Sequence, residues 1–136
     1  MELTIQRLTE SDYDNILVGW WSDWKWIAPQ QDFLPDNGIG GFIVYDGETP
    51  VCAGFIYVTN SSVAWVEWVI SNRNYTYREG RRLALRLLIQ SLTNIAISSG
   101  SKYIYTLIKN QSLMKVYEEI GYIKGDSLAT EMIKVL

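Results

Sequence analysis

Residues 65–92 read WVEWVISNRNYTYREGRRLALRLLIQSL. The first residues are aromatic and β-branched, as a strand requires. Alternation places Trp65, Glu67 and Val69 on one face. A polar loop, SNRNYTYRE, follows. From about Gly80 to Ser98, Leu83, Leu87 or Leu88, Leu92, Ile95 and Ala96 form an apolar stripe at helical spacing. Lys102 to Ile108 then reads as a returning strand. Strand, loop, long helix and strand make a β-α-β unit, the mark of an α/β sheet.

The helix opens on Arg78, Arg81, Arg82 and Arg86. That is the wrong sign of charge for a helix N-terminus, which already carries partial positive charge. Arg78, Arg82 and Arg86 also stand at i, i+4 and i+8, where like charges repel by about 0.2–0.5 kcal/mol per pair. An anion at this helix end would relieve both penalties, and phosphate suits its unpaired amides. The bland alternative is a solvated basic patch with no ligand.

Leu3 to Leu8 alternates as a half-buried strand. Thr9-Glu10-Ser11-Asp12 reads as a helix start with Thr9 as cap, and Tyr13, Ile16, Leu17, Trp20 and Trp24 carry a helix into the early twenties. Residues 27–40 hold two prolines and two glycines and read as loop with room for one turn of helix. Gly41 to Asp46 and Val51 to Thr59 read as a hairpin turning at Asp46-Gly47, with a third strand from Val63 to about Ile70. Gly100 stops the long helix. Asn110 caps a short helix that runs through Ile120 and ends at Gly121, and 122–125 and 128–135 read as two last strands. The order is β-α-βββ-α-β-α-ββ. The expected architecture is one α/β domain over 1–136, a mixed sheet of about six to seven strands with helices on both faces.

The composition narrows the chemistry. Hydrophobic residues make up 48% and charged residues 20%, an ordinary globular balance. Net charge is −3 and the pI about 4.9, which argues against a wide nucleic-acid footprint. There is no histidine and one cysteine, Cys52. Histidine-based triads, nearly all zinc sites and an intrachain disulfide are therefore excluded. No apolar run is long enough to span a membrane, and no signal pattern is visible; the expectation is a cytoplasmic protein with no metal and no membrane contact. Cys52 sits in VCAGFIYV and reads as a buried small hydrophobe. Four of the six tryptophans fall at Trp20, Trp21, Trp24 and Trp26, a cluster that suits core, interface or pocket wall.

Three segments together resemble the GNAT family of N-acetyltransferases. IQRLTESDYDNIL is similar to the family's first strand and helix. WVEWVISN…REGRRLALRLLIQSL is similar to the strand, pyrophosphate loop and helix that hold acetyl-CoA. IKNQSLMKVYEEIGYIKGD is similar to the closing pattern, through Asn110, Tyr117, Gly121 and Tyr122. The phosphate loop departs from the family's Gln/Arg-x-x-Gly-x-Gly/Ala. Here the run is Glu79-Gly80-Arg81-Arg82-Leu83-Ala84, where only Ala84 matches and Gly80 is out of register. A bulky residue in place of a glycine hinders close backbone approach. Arginines can add charge-assisted contacts in compensation.

The resemblance implies transfer of an acetyl group from acetyl-CoA, or another acyl-CoA, to a primary amine of a small molecule or protein by direct attack. Arg78, Gly80, Arg81, Arg82, Leu83 and Ala84 would seat the phosphates. The backbone of Val69 and Ile70 would pair the pantetheine arm like an added strand. Asn110 would bond that arm, cap its helix, or do both. Glu67, set among apolar neighbours, suits a base with a raised pKa. Its bland alternative is a surface or arginine-paired glutamate. Tyr117 would protonate the departing thiolate; because Leu113, Tyr117 and Ile120 share a helical face, ordinary core is its alternative. Trp20, Trp24, Trp26 and Trp65 would line the acceptor site, where aromatic faces attract an ammonium. The last strands mediate a homodimer in some relatives. Two further readings are a non-catalytic CoA-binding or protein-interaction domain of the same shape, and an aromatic-rich carbohydrate or peptide binder.

Overall fold

Along β2 (Gly41–Asp46) and β3 (Thr49–Val58), neighbouring apolar residues go to two different clusters. Val44, Val51, Cys52 and Ile56 join one, with Leu85, Leu88, Ile89 and Leu92 of the long helix. Ile43, Ala53 and Phe55 join the other, with Leu17, Trp20 and Trp21. Alternating side chains give a strand two faces, and here both are apolar. Each fully buried Leu or Ile contributes about 1.5–3 kcal/mol.

The computed structural model describes residues 1–136. The sheet has five strands in the order β1-β2-β3-β4-β5, where β1 is Leu3–Arg7, β4 is Val63–Ser71 and β5 is Tyr103–Tyr105. Neighbours β1 to β4 are antiparallel, and β5 joins β4 in parallel. The first helix begins as a π-turn, Tyr13–Leu17, and continues as α1, Val18–Asp23. Thr9 does not cap it through its hydroxyl: the Asp12 carboxylate accepts from the Thr9 N–H at 2.8 Å instead. The 27–40 loop contains two short 3-10 turns, Gln31–Phe33 and Pro35–Gly38.

Helix α2 spans Arg78–Ser98 and α3 spans Gln111–Glu119. Asn110 caps α3, its side chain accepting from Leu113 N–H at 3.1 Å. Gly121 ends it at φ 99°. The Tyr122 N–H donates to Tyr117 C=O and the Gly121 N–H to Glu118 C=O, both at 3.1 Å. That pair of bonds is the Schellman stop, and glycine takes its left-handed position without strain. Cys52 is fully buried, and burial pushes its thiol far up.

Two expectations need correction. The sheet has five strands, not six or seven, because residues 122–125 and 128–135 form none. Leu128, Met132, Val135 and Leu136 stay exposed. The outer strand β5 is only three residues long, so it offers little ladder for another strand to pair with. The returning strand is correspondingly shorter than the expected Lys102–Ile108.

Candidate active site

The β3–β4 register carries one extra residue on β4. Ala53 pairs with Ile70, but Phe55 pairs with Glu67, so Trp68 and Val69 together oppose Gly54. This is a β-bulge, and bulges re-aim side chains and end pairing. Trp68 sits in it at φ 59°, a left-handed conformation that costs a bulky residue about 1–3 kcal/mol. Its surroundings hold it there. Its Nε1–H donates to the Tyr57 hydroxyl at 3.0 Å, and its ring meets Trp21 and Phe33 edge-on at 6.4 and 5.7 Å. The Tyr57 hydroxyl in turn donates to Phe33 C=O at 2.9 Å.

On its other edge, β4 pairs with β5 only from Val63 to Trp65. Beyond that point β4 runs on to Ser71 with no strand beside it on this edge. The two chains part where the bulge lies. Across the parting, the Glu67 carboxylate accepts the Leu107 N–H at 2.9 Å. Glu67 lies above the usual carboxylate range, chiefly through burial; the Leu107 N–H opposes the rise, and Glu131 adds to it.

A cavity of about 390 Å³ opens beside Glu67, walled by Phe33, Tyr57, Trp65, Trp68 and Leu107, and by Glu131 to Ile133 of the C-terminal segment. Strict alternation would put Trp68 on the opposite face from Glu67; the bulge brings both to this cavity. Trp65 reaches the cavity as expected, with its ring 4.3 Å from that of Tyr105. Phe33, Tyr57, Trp68, Leu107 and Glu131 escaped the sequence reading. A bulge gives no periodic signal, and the C-terminal wall comes from irregular chain. Another cavity, of about 380 Å³, includes Arg7 and Asp36 and touches neither Glu67 nor the bulge.

Tyr117 lies on α3 and is 1% exposed. Burial raises its hydroxyl well above the ordinary tyrosine value, while the nearby Thr106 side chain opposes the rise. Thr106 follows β5 directly, so this hydroxyl lies near the chain that parts from β4. The ring also packs edge-on against Tyr122 at 4.9 Å. The core role and proximity to the parting therefore coexist in Tyr117.

The four arginines have different surroundings. Arg81 turns inward: its Nη2 donates to Asn72 C=O at 3.0 Å and to Tyr75 C=O, while its Nε is buried without a partner. Arg82 pairs with Glu79 at 2.9 Å and Glu119 at 3.0 Å. Arg86 shares Glu119 at 3.3 Å. These exposed pairs add little stability, but they relieve the like-charge repulsion along the helix. Arg78 is exposed and makes no ion pair.

Gly80 is buried beneath the preceding loop. A Cβ there would lie 2.1 Å from the Tyr75 hydroxyl oxygen and 2.7 Å from Tyr77 Cδ2. The Tyr75 hydroxyl donates to Asp46 at 2.8 Å. Gly80 thus makes room for a tyrosine. Leu83 is half-buried, and Ala84 lies in the core under the sheet. No side chain caps the α2 N-terminus.

The tryptophans also divide. Trp20 and Trp21 are core residues, so Trp20 does not line the Glu67 cavity. Trp24 donates to Ser71 C=O at 2.8 Å and stacks on Trp26 at 5.9 Å, with the Arg73 guanidinium 5.4 Å from its ring. Trp26 is 52% exposed. This stack stands at the end of β4 and does not line the Glu67 cavity.

Neither a protein-family model nor a curated protein matches the sequence. Solved structures match over nearly the whole chain. An aminoglycoside acetyltransferase from an uncultured soil metagenomic sample superposes with a TM-score of 0.70 at 12% identity, covering 98% of this chain and 97% of that one. Glucosamine-6-phosphate N-acetyltransferase from Arabidopsis thaliana gives 0.70 at 10% identity, over 98% and 100%. AAC(6')-Iy, solved with the bisubstrate analogue CoA-S-monomethyl-acetylneamine, gives 0.66 at 14%, over 99% and 100%. At such identities the likeness is one of fold. The chain has the mixed α/β fold of the GNAT acetyltransferases.

Proposed function

We propose that this protein is an acetyl-CoA-dependent N-acetyltransferase that acts by direct attack of a primary amine in a ternary complex. The observation that carries this reading is the parting of β4 from β5 at a strained bulge, with a buried-leaning carboxylate on one side and a tyrosine hydroxyl near the other. The free edge of β4 at Val69 and Ile70 offers backbone groups to an extended amide-bearing arm. The open α2 N-terminus, with Arg78 beside it, offers amides and one unengaged cation to phosphates. Arg81 supports that seat from below by fixing the 72–75 loop. Arg82 joins it only if a phosphate displaces its carboxylate partners.

Acetyl-CoA would supply the activated acetyl group. An amine arrives as ammonium and must lose a proton before it can attack. Glu67 is the group for this, directly or through a water, because its raised affinity for protons suits a base working near neutrality. Tyr117 is the candidate donor to a leaving thiolate; the burial that raises its hydroxyl works against full proton transfer, so its role is a hydrogen bond to the thiolate as that charge develops. Positioning the two reactants contributes as much as either group. The same fold with a non-catalytic role gains no observation of its own.

The test is release of free thiol from acetyl-CoA with a panel of primary amines, in wild type and Glu67→Gln. Amine-dependent release that falls at least about a hundredfold in the variant supports the reading. Tight acetyl-CoA binding with no release for any amine would reject catalysis.

A further inference from the structure

The walls of the Glu67 cavity limit what can enter it. Phe33, Tyr57, Trp65 and Trp68 present aromatic surface; Leu107 and Met132 add aliphatic surface. The polar capacity of Tyr57 is largely taken, since its hydroxyl donates to Phe33 C=O and accepts from Trp68. Only two charged residues line the space, Glu67 and Glu131, and both are acidic. Both residues line the same cavity, and the charge of Glu131 adds to the rise in the proton affinity of Glu67. No basic residue lines the cavity.

We propose that the acceptor is a small primary amine on an aromatic or branched aliphatic body, carrying no anionic group, with its ammonium between Glu67 and Glu131. This rests on the acetyl-transfer reading of the same site and adds the substrate class to it. Two like charges in a partly enclosed space favour a cation and repel an anion. Aromatic faces reinforce that sign, because their quadrupole attracts ammonium. A volume of about 390 Å³ lies near the lower end of ligand sites, which suits one ring with a short arm better than a multi-ring sugar. An amine bearing phosphate or carboxylate would bring like charge to the two glutamates. Glu131 belongs to a segment without regular structure, so selectivity resides in a wall that can change with little cost to the sheet.

Two wall residues are tryptophans, so binding reads out without turnover. Intrinsic fluorescence would be titrated with phenethylamine, isopentylamine, 3-phenylpropionate and glucosamine 6-phosphate, in the absence of CoA. Saturable quenching by the two amines, and none by the two anions at equal concentration, is the expected result. Glu131→Lys should weaken phenethylamine by about fivefold or more, with Glu131→Gln intermediate. Glu131 is exposed, so both variants should melt as wild type does. Equal binding of 3-phenylpropionate, no response to either amine, or an unchanged phenethylamine constant in Glu131→Lys would each overturn the proposal. A parallel melting experiment with acetyl-CoA separates the two ideas. Amine binding without any acetyl-CoA shift sinks acetyl transfer alone. An acetyl-CoA shift with no amine binding sinks the substrate class alone.

Discussion

Arg81 and Arg78 lie three residues apart on the same helix, yet their replacement should have opposite consequences. Arg81→Met removes two charge-assisted bonds to Asn72 C=O and Tyr75 C=O, which together contribute about 3–6 kcal/mol. It also removes a buried Nε that has no partner, which returns about 1–3 kcal/mol. Methionine keeps most of the buried stem. The net loss should be about 2 kcal/mol, or about 6 °C in Tm for a domain of this size. Arg78→Ala removes an exposed side chain that makes no ion pair, so stability should change by less than about 0.5 kcal/mol. Its effect should fall on acetyl-CoA, weakened about fivefold or more by loss of one phosphate contact. Urea unfolding monitored by circular dichroism gives the first pair of numbers, and isothermal titration with acetyl-CoA gives the second. An Arg81→Met protein as stable as wild type but unable to bind acetyl-CoA would refute the division of labour. So would an Arg78→Ala protein with unaltered affinity.

Glu67→Gln should be more stable than wild type at neutral pH. Burial raises the folded-state pKa above the unfolded one, so ionisation costs stability as pH rises through that interval, and glutamine removes the cost. The difference should vanish at acid pH, where the wild-type carboxyl is protonated in both states; unfolding curves across pH that show no such trend would contradict the assigned environment. Tyr117→Phe should lower kcat by at least about tenfold while changing stability by no more than about 1 kcal/mol, since the buried ring is kept, as stopped-time thiol assays and melting would show. Asn110→Ala should cost about 1 kcal/mol through the lost cap on Leu113 N–H; unchanged unfolding together with weakened acetyl-CoA would make Asn110 a ligand contact rather than a cap.

The parts of the fold set by local chemistry were readable in the sequence. The hairpin at Asp46-Gly47, the cap at Asn110 and the stops at Gly100 and Gly121 all depend on one or two residues and their immediate neighbours. The periodicity of α2 was equally plain, because its apolar stripe rests on one sheet face. What failed depended on distant partners. The apolar residues of 128–135 look like strand, but a strand needs an edge, and β5 is too short to provide a long one. Arg81 looks like its neighbours in sequence; only the folded loop brings two carbonyls to it. Gly80 looks like a phosphate-loop glycine, and its missing side chain accommodates Tyr75.

About half of the lining of the candidate site was legible. Glu67 and Trp65 were placed by strand alternation, and Tyr117 by resemblance. Trp68 was invisible, because an extra residue in β4 reverses its face and no local motif signals the insertion. The tryptophan cluster of the first helix shows the same limit. Spacing cannot tell Trp20, sealed beneath the sheet, from Trp26, stacked in the open.

The central claim is that an acyl-CoA lies along the free edge of β4 and reaches the start of α2. Amide hydrogen exchange with and without saturating acetyl-CoA tests it most directly, because it reports position as well as binding. Slower exchange should appear at Val69, Ile70 and the amides of residues 78–80, with little change in β1 and β2. Exchange that is unaltered at both places, at acetyl-CoA concentrations up to the millimolar range, would contradict the account.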